Sequence, residues 1–189
     1  IDIGVYRGVY SFKLAQNFKK VHAFEPNPLL YPYLKKNLYK IINNIQLYNL
    51  ALSDTEGETE LNLPLRSHSI FKDNIEELFK LGAASIHKEN KFINFKSFKV
   101  KKQKLDNIKI EGNIAFIKID VQGYEQIKKS FVDTISIFIL PPSLEELEQR
   151  LKDRGLDSEN VIKKRLVNAK SELMHAENFD HILVNDNFE

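Results

Sequence analysis

The chain has 189 residues, 42% apolar and 29% charged, enough for one α/β domain or two small pieces of ordinary globular composition. Twenty-eight basic and 26 acidic side chains leave a net charge of +2, which argues against a dedicated nucleic-acid binder. With no cysteine, disulfides, thiolate zinc sites and a cysteine nucleophile are excluded. No apolar run approaches the ~18 residues of a membrane helix and no signal peptide is visible, so the default compartment is the cytoplasm, with no membrane partner.

In chain order, Ile1-Asp2-Ile3 reads as a buried strand ending at Gly4. A chain that opens in mid-strand without Met reads as N-terminally truncated. Apolar Phe12, Leu14, Ala15 and Phe18 predict a helix over about Tyr10 to Phe18. Val21 to Phe24 is a second strand, stopped at Glu25. Asn27 is a candidate N-cap with Pro28 in the first turn, and the helix behind it runs toward Tyr39. Ile45 to Leu50 is a third strand, Asp54 to Gly57 a turn, and Thr59 to Leu63 a further strand.

Residues 64 to 100 show little pattern and read as loops, with a short helix near Ile75 to Leu81. The basic run Lys96, Lys99, Lys101, Lys102 and Lys104 reads as a solvated strand edge rather than a phosphate-binding patch. Ile114 to Ile119 is nearly continuously apolar, as expected of a central parallel strand, and ends at Asp120. Beyond it, Ser136 to Leu140 is a strand broken by Pro141-Pro142. Ser143 to Glu146 forms a capping box, with Leu144, Leu147 and Leu151 on one helix face. Asp157 or Ser158 caps a longer helix that turns Val161, Leu166, Ala169 and Leu173 inward, and His181 to Val184 is a last strand. Strands alternating with helices define an α/β sheet.

Chemistry concentrates near the start. In Asp2-x-Gly4-x-x-x-Gly8 the glycines stand where a strand turns into a helix, a place that needs positive φ or close backbone approach. The helix N-terminus then faces a bound ligand. Glu25 ends the next strand 23 residues after Asp2, where a carboxylate can accept hydrogen bonds from ribose hydroxyls. The competing reading is a plain structural turn and a surface glutamate. The five histidines have no metal-ligand spacing; only His87 is a candidate to face a substrate, and core or surface packing is the simpler reading for each.

Ile1 to Gly4 through Gly8 to Ser11, Ala23 to Pro28, Asn49 to Asp54, Lys104 to Asp106 and Ile117 to Glu125 occur in an order that resembles the FkbM family of methyltransferases, over roughly residues 1 to 125. The resemblance implies a Rossmann-like, mostly parallel sheet with helices on both faces and S-adenosyl-L-methionine as methyl donor. The acceptor it implies is a hydroxyl on a sugar, a glycan-like product or another small molecule. It places Asp2, Gly4, Gly8 and Glu25 around the donor, with Ala51, Ser53 and Asp54 near its adenine. Asp120 ends the central strand beside the transferred methyl as a candidate general base. Val5-Tyr6-Arg7 and Gln122 depart from the family's commonest pattern, and the second removes an acid/base role at position 122.

The tail resembles a different family. Ser136 to Ser143, Arg150 to Gly155, Asp157-Ser158, Lys164 to Leu166 and Val184 to Asp186 are similar to the C-terminal half of guanylate kinase, over about residues 120 to 189. That resemblance implies a lid and the adenine-side strand. Arg154 and Arg165 match positions that stabilise the transferring phosphoryl group, Arg150 assists, and Asn185 lies near the adenine. No Gly-x-x-x-x-Gly-Lys-Ser/Thr occurs in the chain, so the phosphate cradle is missing and guanylate kinase activity is not expected.

The expected organisation is a methyltransferase core over residues 1 to 125 and an incomplete kinase-like segment over residues 126 to 189. The join falls on the short motif Asp120 to Gly123 that both families share. That suggests a recombined or mis-assembled reading frame, with poorer packing in the tail than in the core. Three readings follow: a methyltransferase with truncated ends, a kinase-derived nucleotide-binding fragment, and a chimera without function.

Overall fold

A computed structural model describes residues 1–64, 95–119, 121–131, 133–153 and 159–186. The chain divides into two compact units, Ile1–Asp120 and Val121–Glu189. The expected helix near Ile75 to Leu81, the cap at Asp157 or Ser158, and His68 and His87 lie outside the described residues.

The first unit is mixed α/β. Strands β1 (Asp2–Ile3), β2 (Val21–Phe24) and β3 (Ile45–Tyr48) form a parallel sheet in that order, with Asp2 opposite Ala23 and Val21 opposite Ile45. Each connection is a right-sized crossover carrying a helix, α1 (Val9–Asn17) or α2 (Leu30–Ile41). In α2, Leu30, Leu34 and Leu38 recur at i, i+4 and i+8 and are all buried. They close on Val21, Ala23, Ile45 and Leu47 from the sheet, together with Val5 and Ile42. Truncating the central Leu34 to alanine costs about 2–5 kcal/mol by lost transfer energy and cavity formation.

Asn27 performs the capping expected of it, though α2 begins later, at Leu30. Its Oδ1 accepts from Leu29 N at 3.0 Å and Leu30 N at 3.3 Å. Pro32 falls in the first turn, where an N–H has no intrahelical acceptor. In α1 the inward residue differs from expectation: Ser11 is fully buried, Leu14 and Ala15 pack partly against the core, and Phe12 is exposed.

A second sheet has the order β4 (Ala51–Leu52), β6 (Phe95–Gln103), β5 (Gly57–Pro64). Strands β5 and β6 run antiparallel, Gly57 opposite Lys102 through Pro64 opposite Phe95, while β4 is parallel to β6. The lysine run therefore lies on a strand, but on the middle one and not on an edge. Lys99 and Lys101 point to solvent, and Val100 between them joins Ala51, Leu61 and Leu63 in a small core.

The apolar stretch Ile114 to Ile119 does not form the expected strand. Only Lys118 pairs, in a parallel bridge with Asp2: Ile3 N donates to Lys118 O at 3.1 Å and Lys118 N to Ile1 O at 2.9 Å. A ladder can be no longer than its partner, and β1 is two residues long. Phe116 is left exposed.

The second unit comprises α3 (Val121–Ser130), β7 (Ile137–Leu140), α4 (Leu144–Asp153), α5 (Glu159–Leu173) and β8 (His181–Val184). Strands β7 and β8 are parallel, Ile137 opposite His181. A polar clasp fixes their starts. Asp180 Oδ2 accepts from Ser136 Oγ at 2.6 Å, Ser136 N at 2.8 Å and Lys128 Nζ at 2.8 Å. These donors, Lys128 first, hold the Asp180 carboxyl well below the usual carboxylate range.

Ser143 caps α4 by accepting from Glu146 N at 3.1 Å, but the reciprocal arm of the box is not made; Glu146 Oε1 instead takes Arg150 Nε at 2.7 Å. Leu151 is buried as expected, with Leu144 and Leu147 half-buried. On α5 the inward positions start at Ile162, and Val161 is exposed.

Candidate functional site

Three parallel strands ending side by side leave a row of chain ends at one rim of the sheet, and ligands in open α/β sheets bind at that rim. Here the rim carries the Gly4 to Gly8 loop after β1, Glu25 after β2 and Asn49 after β3. Gly4 N donates to Phe24 O at 3.0 Å and Glu25 N to Tyr48 O at 2.9 Å, so hydrogen bonding continues one residue past the strands.

The loop turns through three residues with positive φ: Gly4 at 75°, Tyr6 at 51° and Gly8 at 78°. A Cβ on Gly4 would meet nothing within 4 Å among the described residues. A Cβ on Gly8 would stand 2.6 Å from Leu38 Cδ2, so this glycine lets the loop close against α2. Tyr6 is the non-glycine case and carries strain of about 1–3 kcal/mol. Its conformation aims the Tyr6 amide at Glu25, donating to Oε2 at 3.0 Å.

Glu25 is buried and accepts on both oxygens, from Tyr6 N and from Asn27 N at 2.9 Å. Burial raises its pKa; the Asn27 and Tyr6 N–H groups and the Lys118 charge pull the other way without cancelling the shift. The Asn49 side chain donates to Glu25 O at 2.8 Å and Pro26 O at 3.2 Å, fixing the turn that presents the carboxylate.

Asp2 is fully buried. Its Oδ2 accepts from Ser11 Oγ at 2.6 Å, and Lys118 Nζ lies 3.2 Å from Oδ1. That contact is an ion pair without hydrogen-bond geometry, and Oδ1 has no hydrogen-bond partner among the described residues. Lys118 Nζ donates instead to Ile3 O at 2.9 Å and Gly4 O at 3.0 Å. Ser11, Asn49 and Lys118 stand inside the motifs that carry the family resemblance, yet no pattern in the sequence marks them for a role. The only signal for them was a polar residue within or beside an apolar strand or helix face.

The structure thus gathers Asp2, Gly4, Gly8 and Glu25 at one rim. Ala51 is buried on β4 in the second small core, Ser53 N donates to Gln103 O at 3.0 Å, and Ser53 Oγ donates to Asp54 Oδ1 at 3.1 Å. Ser53 and Asp54 are tied to each other and to β6. Asp120 lies outside the described residues, as does Arg154. In the second unit Arg150 meets Asn185: Nη1 donates to Asn185 O at 3.1 Å and Nη2 to Asp186 O at 3.1 Å, so this guanidinium anchors the end of β8. Arg165 is half-buried on α5.

His22 is buried, paired with the Tyr48 hydroxyl at 2.8 Å, and its pKa is lowered by burial first and the Lys20 charge second. Among the described residues no group of histidine and carboxylate side chains could hold a metal ion, and no helix is long and apolar enough to cross a membrane.

The first unit is thus an α/β unit with a glycine turn and buried carboxylates at its strand ends. Two family models match the chain, the FkbM methyltransferase domain over residues 2–126 and guanylate kinase over residues 69–189. The chain belongs to both families, both of them enzyme families, through segments that overlap at residues 69–126. It is similar to the guanylate kinase of Rickettsia felis, 34% identical over 161 residues, 82% of this chain and 79% of that one. The guanylate kinase of Rickettsia prowazekii is 36% identical over 160 residues, 82% and 77% of the two chains. That of Paraburkholderia xenovorans is 50% identical over 78 residues, 41% of this chain and 35% of that one. The kinase match begins well before residue 120, where the sequence analysis places it.

Proposed function

We propose that this chain is an S-adenosyl-L-methionine-dependent O-methyltransferase acting on a hydroxyl of a sugar, a glycan or another small molecule. One observation carries the reading: two buried carboxylates, Asp2 and Glu25, at adjacent parallel strand ends around a loop with positive φ at Gly4 and Gly8.

The residues present fit that donor. Asp2 Oδ1 is a buried anionic acceptor without a hydrogen bond among the described residues, suited to an α-ammonium group. Each Glu25 oxygen holds one N–H and keeps a lone pair for a ribose hydroxyl. Among the described residues a Cβ on Gly4 would meet nothing within 4 Å, which leaves room for a ligand against the backbone. When bound, S-adenosyl-L-methionine supplies a methyl group on a positively charged sulfur. The chain's part is to seat the amino-acid end at Asp2 and the ribose at Glu25, and to remove the proton of the acceptor hydroxyl. Asp120 is proposed for that last task, two residues beyond Lys118 on the same stretch.

In this reading the fold is Rossmann-like, residues 1–125 are the methyltransferase core, residues 126–189 a kinase-like segment, and Ser53 and Asp54 line the adenine side with Ala51. Calorimetry with S-adenosylhomocysteine tests it; binding with a Kd in the micromolar range is expected, and no binding to the folded chain would refute it.

A second reading is favoured by the guanylate kinase match: a nucleotide-binding fragment that uses Arg154, Arg165 and Asn185. It lacks the Gly-x-x-x-x-Gly-Lys-Ser/Thr cradle in sequence, so binding of ATP or GMP without turnover is its expected outcome. A reading frame without function predicts that neither ligand class binds.

A further inference from the structure

We propose that the Lys118 ammonium fills the cation seat of the donor site and is displaced by the α-ammonium of the ligand. The inference rests on the methyltransferase reading and deepens it, because it makes Lys118 an internal competitor that only a ligand carrying an amine must displace.

The seat is defined by three oxygens. Lys118 Nζ lies 3.2 Å from Asp2 Oδ1 and donates to Ile3 O at 2.9 Å and Gly4 O at 3.0 Å. These are the end of β1 and the first residue of the glycine loop. Asp2 is fully buried and its other oxygen is satisfied by Ser11 at 2.6 Å, so Oδ1 is the anionic acceptor left for a cation. A carboxylate and two convergent carbonyls, with no hydrogen-bond donor on Oδ1 among the described residues, form a site for a primary ammonium.

The backbone bridge to Asp2 starts the Lys118 side chain within reach of this seat. Lys118 is the residue opposite Asp2 in the parallel bridge, so its stem starts beside the carboxylate. Two ammonium groups cannot share three oxygens, since their charges repel and each needs the same lone pairs. The lysine has somewhere to go. Its side chain is 31% exposed, and Nζ already lies 5.4 Å from the centroid of the Tyr10 ring, which is itself exposed. Swung outward, the ammonium regains water while staying over an aromatic face.

The resident cation prevents a buried, uncompensated Asp2 charge in the free protein. A ligand ammonium takes over that duty on binding. A ligand with the same nucleoside but no amino-acid end leaves Lys118 in place and gains nothing from its removal.

The test compares S-adenosylhomocysteine with methylthioadenosine, which lacks the amino-acid end, by calorimetry on the full chain and on Lys118→Met. The expected result is S-adenosylhomocysteine binding tightened on the order of tenfold by the substitution, with methylthioadenosine unchanged. Weaker S-adenosylhomocysteine binding, or an equal change for both ligands, overturns the proposal, since the lysine would then be holding the ligand or merely supporting the fold. If neither ligand binds the wild-type chain, the methyltransferase reading itself fails. Should Lys118→Met not fold, nitrogen-15 NMR of the lysine ammonium groups in the wild type decides. S-adenosylhomocysteine should shift the Lys118 Nζ resonance and speed its exchange with water, methylthioadenosine should not, and an unmoved resonance under saturating S-adenosylhomocysteine refutes displacement.

Discussion

Replacing Glu25 by glutamine keeps the shape of the side chain and removes one acceptor. The carboxylate takes Asn27 N at 2.9 Å on Oε1 and Tyr6 N at 3.0 Å on Oε2. A glutamine oxygen can serve one of these donors; the amide nitrogen then faces the other N–H, donor against donor. The folded protein should lose about 1–3 kcal/mol for the unpaired buried N–H. Ligand binding should lose more specifically. The ribose hydroxyls lose a charged acceptor, which costs about 1.5–3 kcal/mol, or roughly 10- to 150-fold in Kd. Calorimetry with S-adenosylhomocysteine at a temperature where both proteins are folded measures this. The wild type should also show a pH dependence that the variant lacks. Burial raises the Glu25 pKa, so the carboxyl protonates above the ordinary glutamate range as the solution is acidified. Protonation turns an acceptor into a donor, so affinity should fall in that window and stay flat in Glu25→Gln. The sign for stability is opposite to that of a salt-bridged acid. A raised pKa means the fold disfavours the ionised form, so this group destabilises above its folded pKa and the penalty is relieved as the pH falls toward the unfolded value. Equal affinity and equal pH profiles in the two folded proteins would remove Glu25 from the site.

Gly8→Ala should destabilise the first unit by about 1–3 kcal/mol, since the residue sits at φ 78° and its new Cβ meets Leu38; denaturant unfolding checks it, and an unchanged midpoint would show that the loop can relax. A coupled assay should show no phosphoryl transfer from ATP to GMP above background, because the phosphate loop is absent from the sequence, and turnover would overturn that reading. Hydrogen exchange should be slow in β2 and α2, which bury Val21, Ala23, Phe24, Leu34 and Leu38, and fast in α4 and α5, which each bury one residue, Leu151 and Ile162. Equal protection in both units would show the tail to be as well packed as the core.

Where a residue's role depends on its own pattern, the sequence is a sufficient guide. The glycines at 4 and 8 were legible because a strand-to-helix turn demands positive φ, and both have it. The leucine spacing of α2, the Ser143 cap and the strands at Val21, Ile45, Ile137 and His181 were legible for the same reason. What failed depended on neighbours. The stretch Ile114 to Ile119 is strand-like by composition, yet within it only Lys118 finds a ladder partner, in its bridge to Asp2. Strand β6 was legible as a strand but not as the central one, because its lysines read as an edge and only Phe98 and Val100 signal its inward face among the described side chains. The polar partners of the site were hidden more deeply. Ser11 lies nine residues from Asp2, Asn49 24 from Glu25 and Lys118 115 from Ile3, so no local window contains the pairs they form.

The overlap of the two family matches at residues 69–126 bears on which half can act alone. Among the described residues, the polar contacts of the Asp2 and Glu25 rim come from residues 1 to 49 and from Lys118, within the first unit. The methyltransferase model spans these residues, whereas the guanylate kinase model reaches only Lys118 of them, and the pairwise matches to the Rickettsia kinases, over 82% of the chain, take in Asn49 as well. Conversely, Arg150, Arg165 and Asn185 stand within the second unit and within the kinase match alone. Its two-stranded ladder leaves Ile137, Ile139, Ile182, Leu183 and Val184 each more than half exposed, an apolar surface that a wider sheet would cover. The second unit therefore carries Arg150 and Arg165 on helices α4 and α5, with a two-stranded sheet whose strands stay largely exposed. The first unit carries a closed leucine core directly beneath its rim of carboxylates. Preorganisation of a binding site requires side chains held by packing and by a second layer of hydrogen bonds. Glu25 has that support from Asn49, Tyr6 and Asn27, and Asp2 has it from Ser11, which is why ligand chemistry is to be sought first at the N-terminal rim.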